Sequence, residues 1–175
     1  MRLKVLSVVS ALMLVAACSS TPEESAKMEG TGGQSGAGNS GSTMETKPMG
    51  PMMGSADEFV VSVGDTVRFG YDRYDLDAAA QTTLEAQAAW LKRYPGVTVT
   101  IEGHCDERGT REYNIALGDR RASAAKDYLV ALGVNGNRVK TVSYGKERPV
   151  ALGHNEQAWG QNRRSVSVVT GGANS

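Results

Sequence analysis

Apolar and polar residues first fall into regular patterns near Asp57. Phe59-Val60-Val61-Ser62-Val63 and Thr66-Val67-Arg68-Phe69 are β-rich runs on either side of Gly64-Asp65, a turn pair, and they predict two short strands. Leu84, Ala88 and Leu91 recur at helical spacing. They predict a helix that starts on a cap at Asp77 and runs to about Tyr94, before Pro95-Gly96. Residues 97–101 are β-branched and predict a strand. Thr110 is a good cap for a second helix reaching Leu132, with Gly133 and Asn135 closing it. Arg138 to Tyr144 and Ser165 to Val169 alternate as two further strands, with about one helical turn near 156–159 between them. Strands interleaved with two long helices predict an α/β (α+β) two-layer sandwich, two main helices on a mixed sheet of about four strands. The strand order stays open, and Arg163-Arg164 reads as the start of an edge strand.

Before residue 56 the pattern is different. Residues 1–17 carry Arg2 and Lys4, then an apolar run from Val5 to Ala17 that ends at Cys18. A basic start and a short apolar stretch predict an export signal. The run of about 13 residues is too short to span a bilayer, which takes roughly 20. Residues 18–55 are dominated by Gly, Ser, Thr and Met and hold almost no β-branched or aromatic residues. Such a segment buries too little apolar area to offset its ordering entropy, and it reads as a flexible linker. Its reach is about 35 Å as a coil and at most ~130 Å pulled straight. Residues 56–171 then form one domain and 172–175 a short tail.

Lys plus Arg and Asp plus Glu each number 19 in the 175 residues. With Arg2 and Lys4 in the leader, the remaining chain carries a formal charge of about −2. That balance gives no reason to expect a nucleic-acid partner. Cys18 and Cys105 are the only cysteines. If Cys18 is modified, Cys105 has no internal partner, so a packed core must carry stability.

The chemistry concentrates in residues 102–129. Asp106 lies in the loop after a strand, and Thr110 opens the next helix. Asn114 and Arg121 are seven apart, two turns, and so share a face with Leu117, Ala124, Ala125 and Tyr128 nearby. An Arg on a mostly apolar face needs a carboxylate or solvent, and a helix N-terminus attracts anions. Asp106, Arg108, Asn114 and Arg121 therefore outline a mixed-charge pocket suited to a zwitterion, with an ammonium at Asp106 and a carboxylate on the fork of Arg121. On spacing alone a second reading is equally open: Asp106 and Arg121 bridge each other and merely pin the loop.

The run from His104 to Ala122 resembles the signature of OmpA-like peptidoglycan-binding domains, through Asp106, Gly109, Asn114, Leu117 and Arg121-Ala122. Phe69-Gly70-Tyr71-Asp72, the stretch from Ser143 to Pro149, and Asn162-Arg163-Arg164 are similar to the peptidoglycan-associated lipoproteins, the Pal family. The likeness covers about Phe59 to Thr170. It implies that the pocket holds meso-diaminopimelate of the peptidoglycan stem peptide, with Asp106 on the amino group, Arg121 on the carboxylate, and Asn114, Arg108 and Asp72 completing the site. Val15-Ala16-Ala17-Cys18 resembles a lipobox, which implies acylation of Cys18, and Ser19 after it favours the outer membrane, with the domain facing the periplasm. Membership of the Tol–Pal system, with TolB as partner and roles in envelope integrity and constriction at division, follows from the same likeness. No cofactor and no enzymatic activity are implied. The sequence departs from the family pattern at Cys105, Arg111 and Ala125. Cys105 adjoins Asp106, so its oxidation is expected to disturb binding. Replacing Arg121 with Ala is expected to abolish wall binding and leave the fold intact.

Other constellations are weaker. His104, Cys105 and Asp106 are consecutive on a strand end and point to alternating sides, so they do not converge on a metal. A dyad of Cys105 with His154 has no identifiable third group to orient it. A wall hydrolase would need convergent acid and base groups or an open metal site, and neither is identifiable in the sequence. A lipid-anchored adaptor that does not touch the wall is the remaining alternative.

Overall fold

The computed structural model describes residues 50–174. The leader, Cys18 and the linker as far as Met49 lie outside the described residues.

The domain opens with a short α-helix, α1 (Ala56–Glu58), capped by the Ser55 hydroxyl, which accepts from the Glu58 N–H at 3.1 Å. It runs on as a π-helical turn, Phe59–Val63, that stops at Gly64 with φ +88°. The strand expected at 59–63 is therefore absent. Phe59 is fully buried, its ring 4.9 Å from that of Trp90, while Val60 and Val61 face solvent. Packing of that one ring, and the Ser55 cap, outweigh the β preference of the Val residues, which have no strand beside them to pair with.

The second β-rich run does pair. Strand β1 (Thr66–Arg68) lies antiparallel to β4 (Arg164–Gly171). Helix α2 (Ala78–Arg93) starts where expected, with the Asp77 carboxylate accepting from the Ala80 N–H at 2.8 Å. Its stripe of Leu84, Ala88 and Leu91 is buried. Strand β2 (Thr98–His104) leads through a loop to α3 (Arg111–Ala131), whose cap is Thr110. After it come β3 (Val139–Gly145) and α4 (Glu156–Asn162).

The sheet order is β1-β4-β2-β3, with β2 and β3 parallel and the other pairs antiparallel. The last strand of the chain is thus internal, and Arg163-Arg164 does not begin an edge strand; both side chains are buried. Nothing local in the sequence could reveal this, since strand order follows from long-range pairing. The expected sandwich of helices on a mixed four-stranded sheet is observed. Val99, Ile101 and Val139 point from the sheet into a core shared with Leu84, Leu91 and Leu129. Strand β2 and helix α3 approach each other closely through backbone. A Cβ built on Gly103 would lie 2.6 Å from the Gly118 carbonyl carbon and closer still to its oxygen. This contact sets the start of α3 directly over the end of β2, where the loop residues 105–110 emerge.

Candidate functional site

The end of β2, the start of α3 and the loop between β1 and α2 enclose an open cleft of about 430 Å³. Asp72, Asp106, Arg108, Asn114 and Arg121, the five residues singled out in the sequence, all line it.

Arg121 is the centre of the site. It sits nearly three helical turns into α3 with 0% exposure. Its guanidinium donates to three backbone carbonyls: Nε to Arg73 at 2.8 Å, Nη1 to His104 at 2.8 Å, and Nη2 to Gly70 at 3.1 Å. These bonds tie the β1–α2 loop to the end of β2. Among the described residues no carboxylate makes an ion pair with it. Burial pushes its pKa below the ordinary arginine value. Three of the five N–H groups of a guanidinium are used, which leaves two without a carbonyl partner. The expectation that a mostly apolar face would force Arg121 onto a carboxylate or out to solvent is thus not met, because backbone carbonyls solvate it instead. The internal Asp106–Arg121 bridge is also absent.

Asp106 is paired elsewhere. Its Oδ2 lies 2.6 Å from Arg108 Nη2 and 3.4 Å from Arg163 Nη1. Its Oδ1 accepts from Arg108 Nε at 3.2 Å and from the Arg108 backbone N–H at 3.1 Å. Burial opposes its charge, but the Arg108 bonds outweigh that and, with help from Arg163, hold its pKa below the usual aspartate value. It is therefore ionised at neutral pH.

Asn114 organises the loop. Its amide donates to the carbonyls of Arg108 at 2.8 Å and Thr110 at 3.0 Å. Its side-chain oxygen is what remains for a ligand. Lys146, in the turn just past β3, steadies the same loop, donating to the Glu107 carbonyl at 3.2 Å and to that of Gly109 at 2.7 Å. Asp72 adopts φ +55°, a left-handed conformation that is uncommon outside glycine and that Asp tolerates better than most residues. Its carboxylate accepts from the Tyr113 hydroxyl across the mouth of the cleft.

Three contributors escaped the sequence reading. Tyr71 and Trp159 lie against the two faces of Arg108, with Cζ 4.0 Å and 4.1 Å from their ring centroids. Arg163 reaches Asp106 while donating to Glu156 at 2.5 Å and to the Phe69 carbonyl at 3.1 Å. The Asn162-Arg163-Arg164 motif was a signal for Arg163, but it was assigned to a strand edge.

Cys105 and His154 form no dyad. The thiol donates to the Asn114 carbonyl at 3.3 Å, and His154 Nδ1 lies 2.7 Å from Glu107. Burial pushes the Cys105 thiol up to about 11, so at neutral pH an oxidant meets very little thiolate. Its position beside Asp106 therefore does not make it a ready redox handle.

The OmpA family model matches residues 68–163. A peptidoglycan-associated lipoprotein of Rhizobium meliloti is 57% identical over 122 residues, covering 70% of this chain and 69% of that protein. One from Agrobacterium fabrum is 49% identical over 144 residues, covering 82% and 77%. Among solved structures, the peptidoglycan-associated lipoprotein of Burkholderia pseudomallei superposes with a TM-score of 0.59 at 45% identity, over 61% of this chain and 90% of that one. The C-terminal domain of Helicobacter pylori MotB shares the fold, with a TM-score of 0.57 at 21% identity, over 61% and 84%. The motifs first noted around Asp106 and Arg121 lie inside the matched span, on the fold these relatives share, and the chain belongs to the OmpA family, alongside the peptidoglycan-associated lipoproteins.

Proposed function

We propose that the domain binds the meso-diaminopimelate residue of the peptidoglycan stem peptide, non-covalently and without acting on it chemically. One observation carries this reading: a fully buried arginine lines an open cleft with no anion paired to it among the described residues. Burying a charge without a counter-charge is costly, so the site favours a ligand that brings one. The two remaining N–H groups of Arg121 suit a carboxylate. Asp106 and Asp72, both in the same cleft, suit an ammonium. A single amino acid carrying both charges at the end of a side chain satisfies this pattern, and diaminopimelate is that amino acid. Arg108 and the Asn114 oxygen complete the site. The names of the relatives, with their reference to peptidoglycan, point to the same polymer.

In this reading acyl chains on Cys18 hold the protein to the outer membrane, and the segment up to residue 55 lets the domain reach the wall from there. The domain faces the periplasm and works within the Tol–Pal system, with TolB as protein partner, in envelope integrity and outer-membrane constriction at division. Cosedimentation of the full-length protein with purified diaminopimelate-type sacculi tests the wall contact. Wild type is expected in the pellet, and Asp106→Asn in the supernatant. Equal partition of the two would refute the assignment.

A further inference from the structure

Asp106 does not stand alone, and what aims it comes from a distant part of the chain. Its carboxylate is gripped by Arg108 through Nε, Nη2 and the backbone N–H. The Arg108 guanidinium is in turn clasped between the Tyr71 and Trp159 rings. Trp159 lies on α4, a helix set in place by the Asn155 cap and by buried Ala158 and Asn162. The Trp159 indole N–H also donates to Glu107 Oε1 at 2.8 Å, an oxygen that His154 approaches to 2.7 Å. Trp159 thus holds both residues that follow Asp106, yet it does not itself line the cleft. An aromatic face against a guanidinium is attractive, and a flat guanidinium locked in its plane presents its fork in one direction.

We propose that Trp159 is a positioning residue of the cleft, acting through Arg108 and Glu107 to fix the Asp106 carboxylate in its ligand-ready orientation. This rests on the diaminopimelate reading for its binding readout, but the state of Asp106 can be followed without any ligand. Around Asp106 stand Arg108 from its own loop, Arg163 and Glu156 from α4 and its end, Arg121 from α3, and Asp72 from the β1–α2 loop. Of these, Arg108 lies over the Trp159 ring, while the Trp159 backbone carbonyl accepts from the Arg163 N–H at 3.0 Å, a bond that ring substitutions leave in place. When Trp159 is lost, the Arg108 fork is released from its plane and its bonds to Asp106 loosen. The carboxylate then regains a proton at higher pH than in the intact protein.

The test follows the Asp106 side-chain carboxyl by carbon NMR across the acid range in full-length wild type, Trp159→Phe and Trp159→Ala. In parallel, each protein is titrated with the tripeptide L-Ala-γ-D-Glu-meso-diaminopimelate. Thermal melts confirm that each variant is folded. The Ala variant should titrate at higher pH than wild type and bind the tripeptide about tenfold more weakly. The Phe variant keeps a ring against Arg108, so it should titrate like wild type and bind within about threefold of it. If the Ala variant fails to fold, Tyr71→Ala removes the opposite ring and should move the Asp106 titration in the same direction. Identical Asp106 titration in the folded variants and wild type would overturn the proposal, as would unchanged or tighter tripeptide binding by Trp159→Ala. If wild type itself ignores the tripeptide, it is the diaminopimelate reading that fails, and the Asp106 titrations still decide the role of Trp159.

Discussion

Replacing Arg121 with methionine should weaken binding of a diaminopimelate stem peptide by about a hundredfold or more, the usual cost of deleting one partner of a desolvated, hydrogen-bonded charge pair. Methionine fills much of the same volume but offers neither charge nor donor. The loss should appear mainly as faster dissociation, because the contact is buried and not one that steers encounter. The variant should also be less stable. The carbonyls of Gly70, Arg73 and His104 each lose a donor, at roughly 1 kcal/mol apiece. Removing a buried charge offsets part of that cost. A fall in Tm of about 5–15 °C is expected. The variant is thus not the clean probe that the sequence suggests, since Arg121 both faces the cleft and bolts its walls together. Calorimetry at a temperature well below both melting points separates the two effects. Binding within threefold of wild type there would mean that Arg121 is structural only.

Gly103→Ala should be severely damaging for a single added methyl. The new Cβ would sit 2.6 Å from the carbonyl carbon of Gly118 and 3.1 Å from its Cα, with the carbonyl oxygen nearer still. All three are backbone atoms, so no rotamer change relieves the clash; β2 and α3 must separate. Ordinary overpacking costs about 1–3 kcal/mol where side chains can give way. Here the cost should exceed about 4 kcal/mol, a large share of a typical domain's total stability. A circular-dichroism melt should show Tm lowered by more than about 15 °C, or no folded protein at all. Gly118→Ala provides the contrast. The atom its Cβ meets first is the Ser143 Oγ, a side chain that can swing away. That swing breaks the Ser143 bond to the Ile115 carbonyl at 2.7 Å and its bond from the Gly145 N–H at 3.2 Å. The penalty should be real but smaller. A drop of only a few degrees for Gly103→Ala would show that the two elements are not in backbone contact.

The parts of this fold that could be read from sequence are those set by neighbours along the chain. Asp77 and Thr110 announce their helices because an N-cap acts on the N–H three residues on. The stripe on α2 was visible because helical spacing puts Leu84, Ala88 and Leu91 on one face. Phe59–Val63 was misread for the opposite reason. Its composition favours a strand, but one long-range packing contact, Phe59 on Trp90, settles its conformation. The central position of β4 was hidden because pairing with both β1 and β2 joins segments far apart in sequence. The same division runs through the cleft. Asp106, Arg108, Asn114 and Arg121 lie within sixteen positions of one another and share a loop and a helix, so their convergence was legible. Trp159 and Arg163 come from α4 and its end, more than fifty positions beyond Asp106. Only the folded sheet brings them to it. The carbonyls that hold Arg121 in place could not be foreseen, because backbone carbonyls, unlike carboxylates, leave no trace in a sequence.

Diaminopimelate differs from lysine by one carboxylate at the tip of the side chain, and that carboxylate is the group assigned to Arg121. Titration of the full-length protein with two stem tripeptides, identical except for meso-diaminopimelate or L-lysine at the third position, therefore isolates the contact. The diaminopimelate peptide should bind at least about a hundredfold more tightly, because the lysine peptide leaves the buried guanidinium unmatched. Equal affinity for the two, or binding of neither, would contradict the account.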